Sequence, residues 1–307
     1  MIPRALQYDD NLELYLQQIR QIFDISRLIN ESPAEPEIIN YYSANKLTYR
    51  LFYSWEGFYH SGISYDGKRK KGDLKEQARI VEAYVRDTDA KAVLELGCGL
   101  GPNSAFLAAG NPQVTFAAAD LSNLPLKRFT KIPNLHFCLA DYHDLSNIED
   151  DSYDVIFIIE ALCYSTNKKQ VFSEVKKKLR RNGILIVFDF YECAQARPLS
   201  PSEEVMWDLN CKGVAANRFE CVTDVERSMR ELFSVVTAKN LSECILPSYE
   251  RQEALVRFYF SHPTFAQVLN ASVPFDVLKN AIVVLLVPTS LRRKIQCYYL
   301  HVLRNDK

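Results

Sequence analysis

A doubly wound α/β fold around a seven-stranded, mostly parallel sheet is the class this chain predicts, and three observations carry it. The first is Val93-Leu94-Glu95-Leu96-Gly97-Cys98-Gly99-Leu100-Gly101, an apolar run that ends in an acid and opens into three alternating glycines. It reads as a buried strand entering a tight turn at a helix N-terminus, where backbone N–H groups face outward and can hold a polar ligand. Glycines there remove the Cβ atoms that would keep a ligand off the backbone. The second is the alternation of short β-branched runs with amphipathic stretches between Lys91 and Phe190, the pattern of βαβ units. The third is a pair of acids, Asp120 and Asp141, each following a strand-like run and in register with the glycine turn.

In chain order, Leu74 to Asp87 carries Ile80, Val81, Tyr84 and Val85 at helical spacing, which predicts a helix packed on the sheet. Strands are expected at 91–96, 114–119, 134–139, 153–159 and 182–189, with helices starting near Pro102, Leu124 and Lys168. Pro102 suits a first helical turn, because it lacks an N–H where none could be bonded. Pro125 and Pro133 keep the crossover after Asp120 short. Pro198 and Pro201 then mark a loop, 202–233 reads as helices around Trp207 and Met229, and Phe233–Leu241 and Lys294–Arg304 read as the last two strands. The stretch between those strands is too long for a plain loop and predicts helices broken at Pro263 and Pro274.

This gives four units: 1–89, an N-terminal helical and aromatic lid; 90–190, the ligand-binding core; 191–232, a helical cap; and 233–307, the last strands with a helical insertion at 246–293. The lid holds Tyr42, Tyr49, Phe52, Tyr53, Trp55, Phe58, Tyr59 and His60, an aromatic density that suits a pocket wall or ordinary packing.

Composition narrows the function. Lys and Arg number 37 against 38 Asp and Glu, a net charge of −1, so no global field draws the protein to nucleic acid. The eight cysteines form no C-x-x-C pair, which fits buried thiols in a reducing compartment better than disulfides or zinc. Residues 1–4 and their polar successors lack the apolar core of a signal peptide, so the default expectation is cytoplasmic. The longest apolar run, Ala281 to Val287, is closed by Pro288 and is too short to span a bilayer of about 20 residues. It reads as a buried helix or strand end, with a peripheral membrane contact beside Arg292-Arg293-Lys294 as the alternative.

The glycine spacing is G-x-G-x-G, whereas dinucleotide dehydrogenases use G-x-G-x-x-G. Glu95, two residues before the first glycine, suits a ligand with an ammonium group and would sit poorly beside a pyrophosphate. Asp120 stands nineteen residues after Gly101, where a carboxylate reaches ribose hydroxyls in doubly wound folds, or caps the chain before Leu121-Ser122. On these residues the chain resembles the class I S-adenosylmethionine (SAM) dependent methyltransferases. The resemblance implies a Rossmann-like core with SAM as cofactor. Its contacts would be Glu95, Gly97, Cys98, Gly99, Gly101, Asp120, Leu121, Asp141, Tyr142 and Glu160, with Asp141 on the adenine amino group and Tyr142 along the ring.

The fourth strand ends in Glu160-Ala161-Leu162-Cys163-Tyr164, and its tip should face the transferred methyl, because ligands sit at the carboxyl ends of parallel strands. The Asn- or Asp-Pro-Pro-Tyr element of DNA-base and protein-glutamine methyltransferases is absent from it. Its form is similar to the small-molecule branch that includes sterol C-methyltransferases and tocopherol-type methyltransferases, and Tyr53 to His60 loosely resembles their upstream aromatic element. No set of metal-ligating acids is evident, which argues against magnesium-assisted transfer. If the acceptor must lose a proton, the base candidates are Glu160, His60 and His143, with Tyr164 and Tyr191 as hydrogen-bonding or cation-facing partners. The expected function is methyl transfer to a small, largely apolar metabolite in an enclosed pocket. A protein or RNA methyltransferase and a non-catalytic SAM-binding subunit are the alternatives; an NAD-dependent enzyme fails on the glycine spacing and Glu95.

Overall fold

The computed structural model describes residues 11–30, 54, 56–122, 131–216, 218–271 and 275–306. Helices α1 (Leu12–Ile22), α2 (Ile25–Asn30) and α3 (Glu76–Asp87) lead into β1 (Ala92–Leu96), α4 (Pro102–Gly110), β2 (Thr115–Asp120), β3 (Leu135–Leu139) and β4 (Tyr153–Ile159). There follow α5 (Lys168–Lys178), β5 (Leu179–Glu192), α6 (Pro201–Gly213), α7 (Val222–Leu232) and β6 (Ser234–Asn240). The last elements are α8 (Ser242–Ser261), α9 (Pro263–Asn270), α10 (Phe275–Arg292) and β7 (Gln296–Arg304).

The strands form one seven-stranded sheet in the order β3-β2-β1-β4-β5-β7-β6. Strands β1 to β5 pair in parallel, and β7 runs antiparallel to both β5 and β6. The central strands are apolar on both faces, with Val93, Leu94, Leu96 and Val155 to Ile158 buried, as a sheet covered by helices on two sides requires. One face packs against the N-terminal helices, α6 and the α8–α10 insertion; the other packs against α5 and α7. The strand order reverses between β1 and β4, so a crevice opens at their carboxyl ends.

Two sequence expectations change. Strand β5 is longer than 182–189: Leu179 pairs with Tyr153, and after a register shift the ladder resumes at Val155 with Ile184. Pro288 does not close its apolar run but lies inside α10, which continues to Arg292. Residues 282–291 are all buried there, so packing on every side holds the helix through the break that proline would otherwise make. No helix among the described residues is long and apolar enough to cross a membrane. The helix expected near Leu124, and Tyr42, Tyr49, Phe52, Tyr53 and Trp55, lie outside the described residues.

Candidate active site

The glycine turn follows β1 as expected, with Gly97, Gly99 and Gly101 all at positive φ (68°, 56° and 68°), where a side chain would be strained. A Cβ on Gly97 would stand 2.4 Å from that of Ala161, so this glycine lets the β1 and β4 tips close on each other. A Cβ on Gly99 would meet no heavy atom within 4 Å, so the turn keeps an open side there.

The turn's amides behave differently from the expectation. The N–H groups of Gly97 and Cys98 donate to the Ala119 carbonyl, that of Gly101 to the Cys98 carbonyl, and that of Gly99 to Asp120 Oδ2 at 2.8 Å. The turn therefore spends these donors on its own shape, and what it offers a ligand is close approach. Asp120 Oδ1 also accepts from the Ser122 amide at 3.1 Å, so Asp120 caps the local chain as well as holding Gly99. Burial raises its pKa above the usual carboxylate range. Leu121, beside it, is half-buried.

Glu95 is corrected more sharply. Its side chain is 1% exposed and accepts from the Ser104 amide and hydroxyl and from Asn103 Nδ2. It thus clamps the start of α4 from inside the protein instead of facing a ligand's ammonium group. Burial pushes its pKa up to about 7. Cys98 is buried too, and its thiol is pushed well up for the same reason.

Asp141 follows β3 and accepts from the His143 amide at 2.9 Å and from His143 Nδ1 at 2.8 Å. The other His143 nitrogen lies 2.9 Å from Ser165 Oγ, and the Tyr142 ring is 4.8 Å from the imidazole. The Tyr142 hydroxyl donates to the Ala161 carbonyl at 3.1 Å, and burial raises its pKa. His143 is therefore a brace for Asp141, with no place in the cavity described next.

Beyond β4 lies a cavity of about 70 Å³ whose walls include Glu160, His60, Tyr164, Tyr59 and Cys163. Glu160 sits at φ 49°, an unusual backbone state for a side-chain-bearing residue, held by its amide N–H donating to the Phe188 carbonyl at 2.8 Å. Its Oε1 accepts from the Ser61 amide at 2.8 Å. Burial pushes the carboxyl up to about 8; the Ser61 amide partly offsets this and the charge of Asp189 adds to it. Tyr298, fully buried on β7, lies beside Glu160 and also partly offsets the rise in its pKa. Gln77 on α3 braces both, its Nε2 donating to the Ser61 carbonyl at 2.6 Å and to the Tyr298 hydroxyl at 3.2 Å.

His60 is buried, and burial lowers its pKa. Its nitrogens lie 3.2 Å from Asn103 Oδ1 and 3.2 Å from the Ser61 carbonyl. With both nitrogens turned to protein oxygens, the ring positions the loop and leaves Glu160 as the titratable carboxyl at the cavity. Asp189, on β5, accepts from the Cys163 amide at 3.0 Å and the Phe190 amide at 2.7 Å, and burial pushes it up to about 6. Phe190 lines the cavity, whereas Tyr191 points to the opposite face of the sheet, 3.5 Å from His301 Nδ1, and takes no part.

Sequence reasoning brought Glu160, His60 and Tyr164 to one cavity and missed Ser61, Gln77, Tyr298 and Asn210. Parity along β7 could have pointed to Tyr298; nothing in the sequence marks Gln77. Among the described residues no group of His, Cys, Asp and Glu could hold a metal ion.

A family model described as a methyltransferase domain matches residues 87–245. The chain is 28% identical over 131 residues to phthiotriol/phenolphthiotriol dimycocerosates methyltransferase 1 of Mycobacterium ulcerans, a match covering 41% of this chain and 45% of that protein. It thus spans less than half the length of that curated relative. Among solved structures, the cyclopropane synthase MmaA2 from Mycobacterium tuberculosis superposes with a TM-score of 0.67 at 16% identity, covering 90% of this chain and 100% of that one. The geranyl diphosphate C-methyltransferase from Streptomyces coelicolor, solved with Mg2+, geranyl diphosphate and S-adenosyl-L-homocysteine, gives 0.57 at 13% identity over 89% of this chain and 100% of its own. At such identities the structures show a shared Rossmann-like fold.

Proposed function

This chain belongs to the methyltransferase-domain family, the class I SAM-dependent methyltransferases of the small-molecule branch, and on that premise we propose that it methylates a small, neutral, largely apolar molecule seated over Glu160. The observation that carries the reading is the juxtaposition of two features at neighbouring strand tips: the open side of the turn at Gly99 and the cavity at Glu160.

The residues fit SAM. The space beside Gly99 is one that a Cβ would fill, Asp120 borders it, and Asp141 and Tyr142 follow the next strand. Gly99 would admit the cofactor to the backbone, with Gly97 and Gly101 shaping the turn, Asp120 on the ribose and Asp141 and Tyr142 at the adenine. Glu95 and Cys98 support the turn from behind. When bound, SAM supplies an electrophilic methyl group.

The chain's own part is alignment and proton handling, since in-line displacement needs an ordered nucleophile in a dry site. The Ser61 amide fixes the Glu160 carboxyl, so that once ionised it can take a proton from an acceptor hydroxyl. A pKa of about 8 places that group close to working pH, where a general base is most effective. Loop residues 59–61, α6 and the α8–α10 insertion roof the cavity, which supports the assignment of 1–89, 191–232 and 246–293 as lid, cap and insertion around the 90–190 core.

The cavity's size and walls also favour a neutral small molecule over protein or RNA. None of its described lining residues is Lys or Arg, so a phosphate-bearing acceptor would enter uncompensated. Similarity to proteins named fatty-acid O-methyltransferase and sterol 24-C-methyltransferase supports the apolar part of the reading. The test is incubation with methyl-labelled SAM and a whole-cell extract, with the label then read by mass spectrometry in its neutral-metabolite, protein and RNA fractions. A labelled neutral product that disappears with Gly99→Arg is expected. Label in protein or RNA alone, or SAM binding with no labelled product, would replace this reading with one of its two alternatives.

A further inference from the structure

Exposed apolar side chains gather at the corner where α8 meets α9. Leu255 and Phe258 on α8 and Phe265 and Val268 on α9 are 58%, 50%, 49% and 67% exposed. The rings make one surface: Phe258 stacks on His262 with centroids 4.2 Å apart and meets Phe265 edge-on at 5.8 Å. A single exposed apolar side chain is ordinary, whereas a contiguous set marks a place where something else binds.

The polar groups around the corner narrow what that is. Ser261, His262, Thr264, Gln267 and Ala271 are exposed between the apolar side chains, and the one Lys, Arg, Asp or Glu in residues 254–271 is Arg257. Arg257 pairs with Glu253 at 2.7 Å and lies over the Tyr15 ring. The corner therefore offers hydrocarbon and neutral polar groups, the chemistry of the boundary between lipid headgroups and acyl chains.

Cations border the same stripe of α8. Positions 244, 248 and 255 share that stripe, because seven residues make about two helical turns and eleven about three. Its first half is covered by the segment that leads into a basic loop: the Ser64 amide donates to the Cys244 carbonyl at 2.8 Å, and the Gly62 amide to Ser248 Oγ at 2.8 Å. Leu255, further along, begins the apolar corner. The loop then runs through Lys68, Arg69, Lys70 and Lys71, and Lys239 stands over the Tyr65 ring at 5.3 Å. Across residues 65–71 and 239–243 these five cations face two acids, Asp66 and Glu243, of which Asp66 pairs with Lys70. An anionic surface complements that excess. The run Ala281 to Val287, where the sequence suggested a membrane contact, is not available for one, since Ile282 to Val287 are buried in α10.

From these observations we infer that the α8–α9 corner and the basic loop form a docking surface for an anionic lipid bilayer, with Phe258 and Phe265 set among the acyl chains and Lys68, Lys71 and Lys239 on the headgroups. None of these residues lines the Glu160 cavity, so the docking is independent of the methyltransferase reading. It still bears on that reading. Helix α8 also carries Tyr249 into the cavity, and α10, packed on α8, carries Val283 and Val287 there, so the docked face holds the cavity close to a source of apolar molecules.

The test is co-sedimentation of the full chain with vesicles of phosphatidylcholine alone and of phosphatidylcholine with about 30% phosphatidylserine. Binding to the anionic vesicles, and much weaker binding to the neutral ones, is expected. Lys68→Gln with Lys71→Gln should weaken that binding by about fivefold for each lysine, and high salt should weaken the unaltered chain's binding in the same way. Phe258→Ser with Phe265→Ser should weaken it by about tenfold or more at any salt, with an unchanged circular dichroism spectrum. No binding to either vesicle, equal binding to both, or a ring variant that binds as the unaltered chain does overturns the inference. A lipid-free dimer in analytical ultracentrifugation that the ring variant separates would assign the corner to a second copy of the chain, which also overturns it. Should the ring variant not fold, Phe265→Trp decides: its added fluorescence should shift to the blue and be quenched by brominated lipid, and a ring that stays in water overturns the inference.

Discussion

The Ser61 amide donates to Glu160 Oε1 at 2.8 Å, joining residues ninety-nine positions apart. Through this bond the N-terminal segment becomes part of the β4 tip. It also points the carboxyl, and the consequences for chemistry follow from what else surrounds it.

Glu160→Gln keeps the shape and removes the titrating group. Its methyl-transfer rate should fall by roughly 10²- to 10⁴-fold, the worth of a positioned base, with SAM affinity by calorimetry nearly unchanged. The unaltered enzyme's rate should rise with pH up to about 8, since the carboxyl must be ionised to act, and the variant's profile should be flat there. Full activity in the variant would remove Glu160 from the role of base.

Gly99→Arg should abolish SAM binding in calorimetry and leave the circular dichroism spectrum intact. A Cβ there would meet no heavy atom within 4 Å, so the side chain starts into open space, while the positive φ costs about 1–2 kcal/mol. Unchanged affinity would mean that the open side of the turn is not the cofactor's place.

His143→Ala separates bracing from catalysis. Asp141 loses its 2.8 Å bond to the ring and keeps the one to the backbone. SAM affinity should weaken about threefold to tenfold, while the rate at saturating SAM stays within roughly twofold. A collapse of that saturating rate would restore His143 as a candidate base.

Glu95 predicts a pH dependence of stability. Its pKa is raised from 4.5 in the unfolded chain to about 7 in the fold. Below the lower value both states are protonated; as pH rises between the two, the unfolded chain releases its proton first and stability is lost. Glu95→Gln removes that loss, so its Tm relative to the unaltered chain should improve from pH 4.5 to pH 7 in calorimetric scans. A difference that is constant with pH would mean that Glu95 is ionised in the fold.

The parts of the site that were legible are local. A strand end, a glycine turn and an acid after the next strand occupy consecutive positions, and the hydrophobic period places them: Gly97, Gly99, Asp120, Asp141 and Glu160 all stand where the sequence put them. What a carboxylate touches is not local. Glu95 was expected to meet a ligand, yet Asn103 and Ser104 arrive on the first turn of α4 and enclose it. Tyr191 was grouped with the cavity, but a strand alternates its side chains, and Phe190 is the one that faces it.

Sequence alone determined the sheet, the glycine turn proposed to hold the cofactor and the strand tip proposed for the chemistry, because β-periodicity and glycine's access to positive φ are properties of short stretches. Tertiary structure alone decided which groups complete the site. Ser61 reaches Glu160, Gln77 reaches Ser61 and Tyr298, and Ser290 and Gln296 accept from the Asn210 amide, from α3, α6, α10, β7 and a loop. A hydrogen bond needs atoms within about 3 Å, and only packing of apolar faces, which says nothing of the polar groups carried along, brings those segments to that distance.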